Sequence, residues 1–315
     1  MSDTNFNVII DKRENQGEGV AVLHLRPLEG QSLPQFTAGA HIDVRISDDF
    51  LRQYSLSNSS NDENSYRIGV LNDPNSRGGS VALFENFKQG LEINVSEPRN
   101  HFPLGDHDGT AILLAGGIGV TPILAMAYEL RAQNRPFEIH YCLRTRSAGA
   151  FVEELEKEFP QQFSLYCDDE VPLNAVELFA DRKDEPHMYT CGPTGFMDWV
   201  IGVAKEQNYS SEQIHFEYFS ADVETGGDAI EVYCSDSDKT VMVGPDETIA
   251  KALSKAGIKV DVSCEQGVCG TCITDVLEGI PDHRDQFLTD EEKEDNDQMA
   301  LCCSRAKGPK LVIEI

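Results

Sequence analysis

No apolar run in this chain of 315 residues approaches the roughly 18 needed to cross a bilayer. The amino terminus, Met1-Ser2-Asp3-Thr4-Asn5-Phe6, lacks the basic and apolar regions of a secretory signal. Basic side chains are scarce: 26 Lys and Arg stand against 54 Asp and Glu, a net charge of −28. Such a field repels nucleic acid and anionic membrane and argues against both as partners. There is no internal repeat and no low-complexity tract. The histidines form no ligand-spaced pair with acidic partners, so an oxygen-activating iron site is not expected. With nine cysteines and no export signal, the expected compartment is the reducing cytoplasm, where disulfides are rare. The acid itself serves solubility, high-salt adaptation or a docking face for a positively charged electron acceptor.

What is present is apolar enough, at 40%, for globular cores, and long enough for two or three domains. Short alternating runs fill the first hundred residues, among them Val20–Leu25, Ala40–Ile46, Tyr66–Val70 and Leu91–Val95. Turn residues separate them, so a small antiparallel barrel is expected. The character then changes. Ala111–Ala115 is a continuous apolar run suited to a strand buried on both faces, and a helical stretch from Ile123 to about Gln133 follows. Two more such strands, Glu138–Cys142 and His187–Cys191, imply a parallel α/β domain. Residues 220–229 are small, acidic and glycine-containing and read as a linker. The expected divisions are 1–105, 106–222, a linker at 223–230, and 231–315.

The last segment carries the most specific signal. Cys264, Cys269 and Cys272 stand in the spacing C-x4-C-x2-C, with further thiols at Cys302 and Cys303. A structural zinc site favours two short cysteine pairs instead. Three ligands in one loop with a distant fourth is the plant-type [2Fe–2S] pattern, in which four thiolates hold two irons. Gly267 and Gly270 let the backbone wrap closely and aim N–H groups at the sulfurs. The spacing to Cys272 favours Cys302 as the fourth ligand. Cys303, its neighbour, faces the other way if the stretch is extended.

Three other motifs suit nucleotide cofactors. Arg52-Gln53-Tyr54-Ser55 offers a phosphate fork, a ring for stacking and a hydroxyl, as a flavin needs, although a surface Arg and a core Tyr have the same look. Arg77-Gly78-Gly79-Ser80 precedes a helical run and suits phosphate at a helix start; a plain turn capped by Ser80 is the simpler alternative. Gly116-Gly117-Ile118-Gly119-Val120-Thr121-Pro122 follows a buried strand as a dinucleotide-binding turn does, without being G-x-G-x-x-G. Cys191-Gly192-Pro193 lies beyond another buried strand, where ligands of open α/β sheets gather.

In this order, with Asp282-His283-Arg284-Asp285-Gln286 and Cys302-Cys303-Ser304-Arg305-Ala306, the motifs resemble the phthalate dioxygenase reductase family over essentially the whole chain. The resemblance implies a multidomain protein: an antiparallel β-barrel flavin domain, an α/β parallel-sheet nicotinamide domain and a C-terminal β-grasp ferredoxin domain. It implies FMN contacts at Arg52, Tyr54, Ser55, Arg77, Gly78, Gly79 and Ser80, and nicotinamide contacts at Gly117, Thr121, Cys191 and Gly192. Phe219, in Glu217-Tyr218-Phe219-Ser220, would lie near the flavin. It further implies an NADH-dependent oxidoreductase, with FMN and a [2Fe–2S] cluster held by Cys264, Cys269, Cys272 and Cys302. Such a protein acts as the monomeric reductase component of a Rieske-type oxygenase, passing electrons to a terminal oxygenase, with no catalytic acid or base of its own. Arg144-Thr145-Arg146-Ser147 leaves NADPH open as the donor. The alternatives are a stand-alone NAD(P)H oxidase or diaphorase, and a redox-sensing flavin iron–sulfur protein.

Overall fold

The computed structural model describes residues 5–47, 51–73, 79–220 and 224–315. The chain divides into two compact units, Met1–Tyr218 and Phe219–Ile315. Among the described residues no helix is long and apolar enough to cross a membrane.

The first unit opens with six antiparallel strands: β1 (Asn5–Gln16), β2 (Val20–Pro27), β3 (His41–Arg45), β4 (Leu51–Ser55), β5 (Tyr66–Leu71) and, after helix α1 (Gly79–Asn86), β6 (Glu92–Ser96). They pair in the order β4-β3-β6-β1-β2-β5. The two ends of this row meet: Leu56 bridges Ile68, and Ser57 N–H donates to Arg67 O at 2.8 Å, so the sheet curls into a barrel. Alternation fills its inside, with Val8, Ile10, Leu23, Leu25, Ile42 and Ile68 all fully buried. Each such side chain contributes about 1.5–3 kcal/mol. The expected strands coincide with β2, β3, β5 and β6 to within two residues at either end. β1 went unread because charged residues fill its second half.

The parallel sheet follows: β7 (Ala111–Gly116), α2 (Val120–Ala132), β8 (Phe137–Leu143), α3 (Val152–Glu158), β9 (Phe163–Cys167), α4 (Ala175–Phe179), β10 (His187–Gly192), α5 (Thr194–Glu206) and β11 (Ile214–Tyr218). β7 is buried throughout because helices cover both its faces. Leu113 and Ala115 join Ile123 and Leu124 of α2, while Ile112 and Leu114 join Met197 and Val200 of α5. The order β11-β10-β7-β8-β9 reverses direction between β7 and β10. Ligands of open α/β sheets bind at the carboxyl ends of strands beside such a switch point.

The second unit holds β12 (Ile230–Cys234), β13 (Lys239–Val243), α6 (Ile249–Lys255), β14 (Ile273–Glu278), β15 (Pro281–Asp282), α7 (Asp290–Asp295), β16 (Gln298–Ala300), β17 (Arg305–Ala306) and β18 (Lys310–Ile313). Its main sheet, β13-β12-β18-β14-β16, is mixed, with β18 parallel to β12, and α6 packs on it in a β-grasp arrangement. The glycine-containing stretch before β12 is hydrogen-bonded to this unit. Arg284 donates to Glu224 O and Gly226 O, each at 2.6 Å, and the buried Arg305 donates to Asp228 O.

Candidate functional site

The cysteine loop joins α6 to β14, and Cys302 follows β16. The fold closes the gap of thirty residues because β14 and β16 pair, with Ile273 opposite Ala300, and Leu301 N–H donates to Cys272 O at 3.2 Å. Cys264 lies within hydrogen-bonding reach of Cys269 and Cys302, and Cys302 also of Cys272. All four expected ligands therefore converge. Cys303 is fully buried beside them, with Ala300 O and Ser304 Oγ each 3.8 Å from its sulfur.

Local geometry makes this a thiolate cradle. Backbone N–H groups of Gln266 and Val268 point at Cys264 Sγ at 3.3 and 3.5 Å. Thiol donation from Cys269 and Cys302, reinforced by those N–H groups, holds the Cys264 thiol well below its ordinary pKa. Thiolate is the form that ligates metal. Gly267 and Gly270 adopt φ of +72° and +71°, and a Cβ on them would sit 2.6 Å from Cys303 Sγ and 2.3 Å from the Phe287 ring. Only glycine fits either place. The Asp282–Gln286 stretch braces the loop from below. Gln286 N–H donates to Gly267 O at 2.9 Å, and the buried Asp285 accepts from Leu288 N–H and Ser304 Oγ at 2.8 and 3.3 Å. Four convergent sulfurs, N–H groups aimed at one of them and a tight glycine wrap fit a [2Fe–2S] cluster held by four thiolates.

A second constellation lies in the first unit, where β4 of the barrel meets the carboxyl ends of β10 and β11. Ser55 ends β4 and its Oγ–H donates to Glu217 Oε2 at 3.4 Å. Glu217 stands opposite Cys191 in the β10–β11 register, and Gly192 opposite Tyr218. Burial pushes the Glu217 carboxyl up to about 8, against which the Ser55 hydrogen bond pulls only weakly. Burial also raises the Cys191 thiol well above its usual range. Tyr54, next to Ser55, is half-buried, and its phenol is likewise raised by burial. Arg52 donates to Leu51 O at 2.7 Å. Sequence reasoning passed over Glu217. The available signal was an acid set between Phe216 and Tyr218 in a strand.

The glycine turn after β7 adjoins this seam. Gly119 must lack a side chain, since a Cβ there would fall 2.2 Å from Cys191 O. Gly117 turns the chain at φ +52° and a Cβ on it would meet nothing, so its face is open. Thr121 is buried, its hydroxyl donating to Ile118 O at 3.1 Å and its methyl group packing toward Gly69 of β5. The structure thus brings Ser55, Gly117, Thr121, Cys191 and Gly192 to one seam between barrel and parallel sheet. Arg67 ties that seam, its fork meeting Glu154 of α3 with both N–O distances 2.9 Å. Among the remaining expected contacts, Gly79 and Ser80 open α1, Arg77 and Gly78 lie outside the described residues, and Phe219 is exposed just beyond β11.

Residues 232–307 match the 2Fe-2S iron-sulfur cluster binding domain family. The chain is 45% identical to the vanillate O-demethylase oxidoreductase of Pseudomonas sp. (strain HR199 / DSM 7063), covering 98% of this chain and 100% of the relative. It is 40% identical to the tetrachlorobenzoquinone reductase of Sphingobium chlorophenolicum, covering 92% of each. Among solved structures, phthalate dioxygenase reductase superposes with a TM-score of 0.76 at 34% identity, covering 99% of this chain and 98% of that one. A flavin, a nicotinamide and a [2Fe–2S] cluster are therefore the cofactors, and with them this chain belongs to the phthalate dioxygenase reductase family.

Proposed function

We propose that this chain takes electrons from NADH, relays them through FMN and the [2Fe–2S] cluster, and delivers them to the terminal component of a vanillate-demethylase-type oxygenase. The observation that carries this reading is the four-sulfur cradle, set in a chain that aligns end to end with vanillate O-demethylase oxidoreductases. When bound, FMN accepts a hydride and the cluster carries single electrons, which converts a two-electron donor into a one-electron supply. Tyr54 offers the ring for stacking and Arg52 the charge for the phosphate, with Ser55 beside the reactive edge. Gly117 and Gly192 give the nicotinamide and its pyrophosphate close access at the switch point, and Thr121 and Cys191 wall the same seam. Cys264, Cys269, Cys272 and Cys302 hold the irons. The site reading for Arg77, Gly78, Gly79, Ser80 and Phe219 rests on the family resemblance.

NADH is the donor we favour. Of the two arginines after β8, Arg144 and Arg146, that could meet a 2′-phosphate, Arg146 already has its fork on Glu156 at 2.7 and 2.8 Å. The acidic run Asp168-Asp169-Glu170 follows the neighbouring strand β9. Both features oppose an added phosphate. The protein works as a cytoplasmic monomer, with the boundaries of its barrel, nicotinamide and ferredoxin domains near residues 105 and 222.

Anaerobic stopped-flow mixing with NADH tests the relay: the flavin bleaches first and the cluster second. The reduced protein is then mixed with the oxygenase components of a vanillate and of a carnitine system. Vanillate-dependent NADH consumption with the first alone supports the proposal, and equal failure with both sinks it. A second reading, a stand-alone quinone reductase, draws on the 40% identity to tetrachlorobenzoquinone reductase. It requires that quinone turnover survive removal of the cluster.

A further inference from the structure

His41 stands at the same seam without a role. It begins β3, is 4% exposed, and neither of its ring nitrogens has a hydrogen-bond partner among the described residues. Buried polar atoms are normally paired. Its Nδ1 lies 4.0 Å from Glu217 Oε1, whereas the other oxygen, Oε2, accepts from Ser55. His41 and Ser55 are themselves directly opposite in the β3–β4 pairing. Ser55, Glu217 and His41 therefore close a triangle drawn from three strands.

The charges around the ring settle which partner holds the proton. On its own strand stands Asp43, engaged by Arg99 at 2.5 Å. His101 packs with its ring centroid 5.3 Å away, Glu217 faces from β11, and Cys191 lies behind Glu217 on β10. Burial, helped by His101 and Arg99, pushes the His41 pKa down to about 3. Burial raises that of Glu217 to about 8. At neutral pH the carboxyl thus has a hydrogen to give and the neutral imidazole has one nitrogen able to take it.

We propose that His41 is the positioning residue of the Glu217 carboxyl: its unprotonated Nδ1 accepts the hydrogen on Oε1, which keeps Oε2 on the Ser55 hydroxyl. The 4.0 Å gap closes by rotation of the Glu217 side chain about its terminal torsion, which is broad and costs little to turn. The pair carries no net charge whichever partner holds the proton, the condition for burying it without a counterion. It forms a proton store one hydrogen bond from Ser55. That last consequence rests on the flavin position proposed above; the pairing itself does not.

The test uses the oxidised, full-length holoprotein. Nitrogen NMR of the imidazoles, with His41 assigned by its loss in His41→Gln, should show a neutral ring carrying its hydrogen on Nε2 at pH 7. A hydrogen on Nδ1 there would overturn the proposal. Infrared titration reads the partner, the Glu217 band being the protonated-carboxyl band that Glu217→Gln removes. In His41→Leu the protonated carboxyl loses the nitrogen that accepts its hydrogen, so the proton is held about tenfold less tightly, a fall of about one pH unit. His41→Gln, which keeps a polar partner, should restore most of the wild-type midpoint. An unchanged midpoint in His41→Leu overturns the proposal, and if that variant fails to fold the tautomer result decides alone. Neither measurement reads flavin, so flavin binding elsewhere would sink the site reading and leave this pairing standing.

Discussion

Cys191 at the end of β10 and Cys264 in the cysteine loop carry the same side chain in opposite settings. Cys191 is fully buried beside the Glu217 carboxyl, and burial drives its thiol up and keeps it protonated. Cys264 is only partly buried, receives hydrogen bonds from neighbouring thiols and two N–H groups, and is driven down toward thiolate. Burial alone makes a cysteine inert, whereas burial with aimed donors makes it a ligand. The same contrast separates the two sites. The cradle is a set of donors waiting for a charged group. The seam is a buried wall whose acid burial keeps neutral.

The sharpest way to break that contrast is to remove one sulfur from each site. Cys269→Ala should abolish the cluster outright, with iron content and the EPR signal of the reduced protein both lost, while NADH still bleaches the flavin. Cys191→Ala should leave the EPR signal at full strength and change only the rate of flavin reduction. A persistent cluster in Cys269→Ala would refute the ligand assignment.

Gly270→Ala attacks the cradle without touching a ligand. It forces a side chain into a left-handed conformation and against the Phe287 ring at 2.3 Å. The expected cost is about 2–4 kcal/mol, read as a lower melting transition of the second unit only. Loss of stability in the first unit instead would mean that the two compact units do not unfold independently.

How far each site could be seen in the sequence follows from how local it is. The cradle puts three ligands and both glycines inside nine residues, so spacing alone exposed it. The β7 turn was equally plain, because a strand buried on both faces followed by glycines has few other readings. β4 contains the quoted Arg52–Ser55 motif but was not itself read as a strand. The seam was legible only in parts. Ser55 and Glu217 are 162 residues apart in sequence, and neither residue type in its own strand announces a partner. His41 had no local signal, since its two unpaired nitrogens are a property of packing. Side-chain pairs between strands of different sheets are set by the docking of barrel on parallel sheet, which no local pattern encodes.

Tyr54→Ala probes the seam at intermediate size. If the phenol ring is the stacking surface, flavin retention should weaken by about 1–3 kcal/mol, while Tyr54→Phe should hold flavin almost as well. Unchanged flavin content after dialysis of the alanine variant would move the flavin away from β4. The cluster should be intact in both variants.

The smallest expected effect distinguishes the two units by pH. In the first unit His107, His187 and His215 stack at the amino ends of β10 and β11, with His107 and His187 rings 3.7 Å apart and His187 Nδ1 3.0 Å from His215 Nε2. Burial, with mutual repulsion, pushes His107 and His215 down to about 4. In the unfolded chain these rings return to about 6.5, so below that pH the unfolded state binds more protons than the folded one. Stability from the stack is therefore complete above about pH 6.5 and lost as pH falls toward about 4, after which it levels off. Because the rings are partly exposed the loss is modest, a drop of a few degrees in the melting transition of the first unit. Replacing His215 by Gln should flatten that slope and leave the second unit unmoved. A slope that survives the substitution would place the acid sensitivity of this unit in the seam, at His41, whose pKa burial also lowers, rather than in the stack.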